Sequence, residues 1–258
     1  MPGTFELSVA ALDILGRQLG LNLRLIPLEI PALAKTVEEQ RAIGEAVWRT
    51  LHRQGLARDG RLDPDVETAL VTLANPQVAL SLMLGTNGGR SGTIGRAGGT
   101  PRAAVLATQR GETVRFQLAP PNQLVAMLMS VIPDCPALPR LRYLSIPREA
   151  PKPAPSDDDD AGDEGYGGSI MIRPAASTVG NRDKAAVQRI LALPKQRVGA
   201  VKVIGRGGEL VTWTDTTQGR FIELTQRQRD GAVWNVYEAG DNRELGGQIG
   251  NAISAVSR

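Results

Sequence analysis

Two stretches of this chain read alike, and their repetition limits what it can fold into more than any other feature. PDVETALVTLANPQVALSLML spans residues 64–84, and RDKAAVQRILALPKQRVGAVKVIG spans residues 182–205. Each is a short helical pattern that stops near a proline, Pro76 or Pro194, and passes into a β-rich run. Val78 and Val198 hold the same place in the two runs, 120 residues apart. The echo continues downstream. AAVLATQRGETVRFQLAPPNQLVAMLMSVI (103–132) reads as strand, turn, strand, helix, and ELTQRQRDGAVWNVYEAGDNRELGGQIGNAI (223–253) has the same order. At a spacing of 120, Val114 matches Trp234 and Phe116 matches Val236; at 121, Leu128 matches Ile249 and Ile132 matches Ile253. A period this long describes a duplicated subdomain, not a solenoid.

Composition then marks the boundary between the halves. Residues 147–168, PREAPKPAPSDDDDAGDEGYGG, are proline, acid and glycine with almost nothing to bury, so they read as a disordered linker. The expected division is an N-terminal subdomain at 1–146, the linker at 147–168 and a C-terminal subdomain at 169–258, the whole forming one domain. Hydrophobic residues make up 41% of the chain but aromatics only 3%, so the core must rest on Leu, Val, Ile and Ala. The linker holds Asp157, Asp158, Asp159, Asp160, Asp163 and Glu164. The overall charge of +3 becomes +9 once these six are set aside.

Local signals fill in the elements. Leu12, Leu15 and Leu19 share one helical face, and Gly20 suits the helix end. NLRLIPLEI (22–30) reads as a strand. Thr36 and Glu39 have capping-box spacing, and the helix they open presents Ile43, Val47 and Leu51. Asp63-Pro64 starts another helix, with aspartate as cap and proline in the first turn. Toward the C-terminus, two β-rich runs, 220–225 and 233–237, flank a turn containing Asp230-Gly231, which reads as a hairpin. Each half thus gives an antiparallel meander and a closing helix. Alternation sends Val114, Phe116 and Leu118 one way and Thr113, Arg115 and Gln117 the other. It likewise pairs Trp234 with Val236 against Val233, Asn235 and Tyr237. The expectation is that Trp234 faces the helices while Asn235 and Tyr237 look outward on an open sheet face.

Catalytic chemistry finds no footing. His52 is the sole histidine and lies in a helical stretch; Cys135 is the sole cysteine and reads as a buried apolar residue. No zinc site, Cys/His pair or disulfide follows from these. The aspartate run lacks the spaced ligands of a calcium loop. GTNGGRSGTIGRAGG (85–99) lacks a P-loop ending and reads as a long hairpin tip, from which Arg90 and Arg96 could touch a partner. No catalytic, cofactor-binding or metal-binding residue is therefore expected. The N-terminus carries Glu6 and Asp13 where a signal peptide needs an apolar run. No apolar stretch long enough to span a membrane is present. The basic body admits a second reading, a nucleic-acid-associated or regulatory module, whose binding would collapse steeply with salt.

The order of motifs in the C-terminal third resembles the EspG family of type VII (ESX) secretion-associated proteins. The run is a Gly219-Arg220 strand opening, the Asp230-Gly231 turn, a Val233-Trp234-Asn235-Val236 strand and a closing helix bearing Leu245, Ile249 and Ile253. Upstream, AAVQRILALPKQRVGAVKVIGRGGELVTWTDTTQGR resembles the family's preceding helix and strands. The resemblance is sharp over residues 180–255 and looser in the N-terminal half. It implies an α/β (α+β) fold: quasi-two-fold subdomains sharing a central, mostly antiparallel sheet flanked by helical bundles. It also implies a cytosolic, non-catalytic chaperone that grips the helical tip of PE–PPE heterodimers, or of PPE-like or WXG-type substrates, before secretion. Apart from the resemblance, an open sheet face can self-associate, so a homodimer of the free protein is an expectation from the residues themselves. The Arg-, Ala- and Gly-rich composition fits an actinobacterial source. The residues expected at the partner interface are Arg90, Arg96, Arg115, Gln117, Arg220, Asn235 and Tyr237.

Overall fold

A computed structural model describes residues 3–34, 36–86, 92–141, 143–148, 178–205, 207–227 and 231–256. The chain opens with β1 (Thr4–Ser8), which runs directly into α1 (Val9–Leu19). Ser8 caps this helix by accepting the Ala11 N–H at 3.1 Å, and Gly20 ends it in the left-handed conformation, φ +65°. α2 (Val37–Arg53) begins with the expected capping box. The Thr36 hydroxyl accepts the Glu39 N–H at 3.1 Å, and a Glu39 carboxylate oxygen accepts the Thr36 N–H at 3.3 Å. A minimal hairpin, β2 (Ala57–Arg58) and β3 (Arg61–Leu62), leads to α3 (Pro64–Ala74), where Asp63 accepts the Asp65 N–H at 2.9 Å. The meander β4 (Val78–Thr86), β5 (Gly92–Gly99), β6 (Ala104–Arg110) and β7 (Thr113–Ala119) ends in α4 (Leu124–Val131). The second half runs β8 (Leu144–Pro147), α5 (Thr178–Leu191), β9 (Lys195–Ile204), β10 (Leu210–Thr216), β11 (Gly219–Arg227), β12 (Val233–Ala239) and α6 (Asn242–Val256).

Ten strands form one antiparallel sheet in the order β1-β7-β6-β5-β4-β9-β10-β11-β12-β8. The order is its own mirror in the two halves: β4 answers β9, β5 answers β10, and so outward to the edges β1 and β8. A two-fold axis normal to the sheet requires directly paired residues to exchange. Ser81 pairs with Lys202, so the exchange spacing there is 202 − 81 = 121. The same spacing relates buried Leu124 to Leu245, Leu128 to Ile249, and Phe116 to Tyr237.

The odd spacing corrects the face assignment made at 120. A slip of one residue turns every strand side chain to the opposite face. Tyr237, not Val236, takes the place of Phe116; it is 3% exposed and packs with Phe221, Leu138 and Val187. Trp234 is only half-buried, and the fully buried tryptophan is Trp213. Two further expectations change. Residues 22–30 form no strand but an irregular segment, in which Pro27 offers no N–H and Leu23, Leu28 and Ile30 anchor to the core. The glycine-rich stretch is not one long tip, because residues 92–99 are strand β5. There the small side chains serve packing: a Cβ on Gly98 would lie 3.0 Å from the Thr72 carbonyl oxygen of α3. The acidic run 157–164, Asp230 and Arg90 lie outside the described residues. His52 is exposed on α2 and Cys135 is buried, both as expected.

Candidate docking surface

The two faces of the sheet are covered differently. On one, α4 and α6 lie over the centre. Leu124, Leu128, Leu245 and Ile249 pack there against Leu80, Leu82, Val201, Val203, Val211 and Trp213. On the other, the covering helices stand at the two ends. At the first end α3 lies on β5, β6 and β7, and α1 and α2 complete a core with Val105, Ala107, Val114 and Phe116. At the second end α5 lies against β8, over Phe221 and Tyr237.

Between these ends, no helix among the described residues covers the middle strands on this face. Met83 on β4 is 56% exposed, Val198 on β9 46%, Leu210 on β10 46% and Ile204 on β9 36%. The register sets them side by side. Ile94, Met83, Ala200 and Thr212 form one cross-strand row, and Ser81, Lys202 and Leu210 form the next. An open face of an antiparallel sheet ordinarily alternates to polar residues. An apolar strip on such a face is a candidate interaction surface.

The opposite face holds this strip in place. Trp213 lies flat on β9 where Gly199 leaves room: a Cβ there would come within 2.1 Å of its ring. Beside it, Asp215 and Arg220 form a fully buried ion pair, Nε to Oδ1 2.6 Å. Arg197 reaches the second Asp215 oxygen at 2.8 Å. Arg220 also donates to the Pro133 carbonyl at 2.9 Å and to the Asn242 side chain, and its guanidinium lies 5.9 Å from the Trp213 ring centroid. The connector from α4 to β8 is stitched on through Arg220 N to Pro136 O at 2.7 Å and Leu138 N to Arg220 O at 2.8 Å. Burial in this region pushes the Cys135 thiol up from its ordinary value, and the Asp215 carboxylate adds to the effect.

Of the seven residues expected at a partner interface, Arg90 lies outside the described residues and the other six do not come together. Arg96 is 8% exposed beneath the 22–30 segment, where it donates to the Ile26 carbonyl at 3.2 Å, and burial lowers its pKa. Arg220 is spent inside the ion-pair cluster. Tyr237 donates to Glu223 at 3.1 Å; burial first, then the neighbouring Glu223 charge, push its pKa up to about 12. These three are corrected from surface to interior. The 120 alignment turned β12 over, and a lone Arg in a strand gives no sign of a buried carboxylate five residues earlier. Arg115 and Gln117 line a polar hollow beside α4 with Glu6, Thr108 and Thr113, on the face away from the apolar strip. Asn235 is half-buried on the α5 side. Met83, Val198, Lys202, Ile204 and Leu210 were missed, yet a signal was there. RVGAVKVIG shows no clean polar alternation, as a strand apolar on both faces must.

Among the described residues, no group of His, Cys, Asp or Glu could hold a metal ion, and no helix is long and apolar enough to cross a membrane. A family model described as the EspG family matches residues 8–251. A solved structure of the Mycobacterium tuberculosis type VII secretion system chaperone EspG5, in complex with a PE25–PPE41 dimer, is similar in fold. The TM-score is 0.62 at 11% sequence identity, over 98% of this chain and 96% of that one. No curated protein matches the sequence.

Proposed function

This chain belongs to the EspG family, and we propose that it is a cytoplasmic, non-catalytic secretion chaperone that covers the helical tip of a PE–PPE-type substrate with the bare middle of its sheet. The observation that carries this reading is the apolar strip of Met83, Val198, Ile204 and Leu210 at the centre of an otherwise well-covered sheet. A helical bundle tip that must stay soluble before export needs a preformed, dry counter-surface. A strip set between helical walls offers one without rearrangement, so little ordering cost opposes binding. The similar EspG5 structure, solved with a PE25–PPE41 dimer, supports the choice of substrate class. The two-fold arrangement leaves one such strip on the axis, so the expected complex holds one chaperone per substrate pair.

The test is co-expression with PE–PPE-type pairs encoded beside the gene, followed by size-exclusion chromatography with light scattering. A one-to-one-to-one complex is the expected result. Substrate pairs that elute alone, and stay soluble without this chain, would overturn the reading.

A further inference from the structure

The bare strip carries one charge. Lys202 is exposed near the exchange axis, paired across to Ser81 and Leu210 and flanked along β9 by Ala200 and Ile204. Among the described residues it has no ion-pair partner. The acid on the same face, Glu223, accepts the Tyr237 hydroxyl at 3.1 Å. Lys202 lies between the apolar residues, with Met83 and Val198 to one side and Ile204 and Leu210 to the other. Any surface that covers those four together therefore covers the ammonium as well. Burying an ammonium without an acceptor is strongly unfavourable, whereas burying it against a carboxylate with good geometry is tolerated.

This distinguishes two possible occupants. A second copy of the chain would bring the same strip with another lysine; its acid on this face, Glu223, lies two strands from Lys202 on β11 and already accepts the Tyr237 hydroxyl, so it is not set opposite the partner's ammonium. A helical tip bearing an acidic side chain would bring the missing acceptor. We propose that Lys202 makes this face selective: it bars self-association and admits a helical partner that presents a carboxylate to the ammonium. The proposal rests on the central strip being the docking surface. It adds the chemistry of the partner's contact and a reason why the apolar face does not close on itself, a use of repulsion in place of added attraction.

The experiment uses the chain alone, so it does not depend on a substrate. Light scattering over a concentration series compares the wild type, Lys202→Met, Lys202→Glu and an equimolar mixture of wild type with Lys202→Glu. The wild type is expected to stay monomeric. Lys202→Met is expected to dimerise at a concentration at least about ten-fold lower than any wild-type association. The mixture should form a heterodimer that neither component forms alone, because one copy then supplies the carboxylate. Adding Leu210→Glu to Lys202→Met should restore the monomer and so place the contact on this face. Lys202→Met remaining monomeric wherever the wild type does would overturn the proposal, as would wild-type dimers that Leu210→Glu abolishes. Failure of the chaperone reading shows elsewhere: Lys202→Met would dimerise as expected while co-expressed substrate pairs still elute alone.

Discussion

At the scale of single residues, the buried cluster around Asp215 ranks its members by what each leaves behind. Asp215 has two cationic partners, at 2.6 and 2.8 Å, so either arginine still shields its charge when the other is lost. Arg220 has one carboxylate and two neutral acceptors, and it is fully buried. Asp215→Ala therefore strands a buried guanidinium and should cost about 3–5 kcal/mol. Arg220→Met keeps the volume, leaves the Arg197 contact intact and should cost clearly less. Urea midpoints at unchanged slope would read both; equal losses would contradict this ranking. Tyr237 makes a second prediction at this scale. Its folded pKa, about 12, stands above the ordinary tyrosine value of 10.0. The neutral form is thus favoured by folding. The stability it adds is fully present below pH 10 and is lost as pH rises through 12. Unfolding free energies of wild type and Tyr237→Phe, measured against pH, should run parallel up to about pH 10 and converge above it as only the wild type loses this contribution.

At the scale of elements, legibility followed how local the determining force was. Helix starts at Thr36 and Asp63 are set by side chains bonding amides two or three residues away, so short motifs expose them. The Asp241 cap of α6 works the same way, accepting the Arg243 and Glu244 N–H groups at 2.7 and 3.2 Å. The meanders and the duplication were legible because alternation and order survive divergence. Register was not. The helices already matched at 121 while the strands were aligned at 120, and period two made that single residue decisive for Trp234, Asn235 and Tyr237. The pairing of β4 with β9 fixes the odd spacing, and it is a contact between halves that no local pattern encodes. The 22–30 segment failed for a related reason. Its apolar residues are buried as a strand's would be, but Leu23, Leu28 and Ile30 are held by helices and β-strand side chains, not by a ladder. The candidate surface was hidden behind the same fact, since bare and covered apolar strands look identical until the helices are placed.

At the scale of the whole molecule, the duplication puts helices at both ends of one face and leaves its middle without a covering helix among the described residues, while the other face is covered at its centre. A single helical tip can meet the apolar strip or the polar hollow around Arg115 and Gln117, but not both, because they lie on opposite faces of the sheet. The strip is the better dock because covering it removes exposed apolar surface from water. The hollow offers threonines and arginines that water already satisfies, and replacing those contacts gains little. Met83→Glu combined with Leu210→Glu places two carboxylates in the strip, beside the one ammonium that would receive the partner's own acid. Capture of a co-expressed substrate pair should fall by at least about thirty-fold, the loss of a 2 kcal/mol anchor. Arg115→Ala combined with Gln117→Ala should leave capture within about two-fold, since rim positions away from an interface contribute little. Both double variants change side chains outside the core, so their melting temperatures should stay near the wild type and separate docking from folding. If the pattern reversed, with capture lost at Arg115 and Gln117 and kept at Met83 and Leu210, the substrate would sit on the α4 side. The bare strip would then need a different occupant.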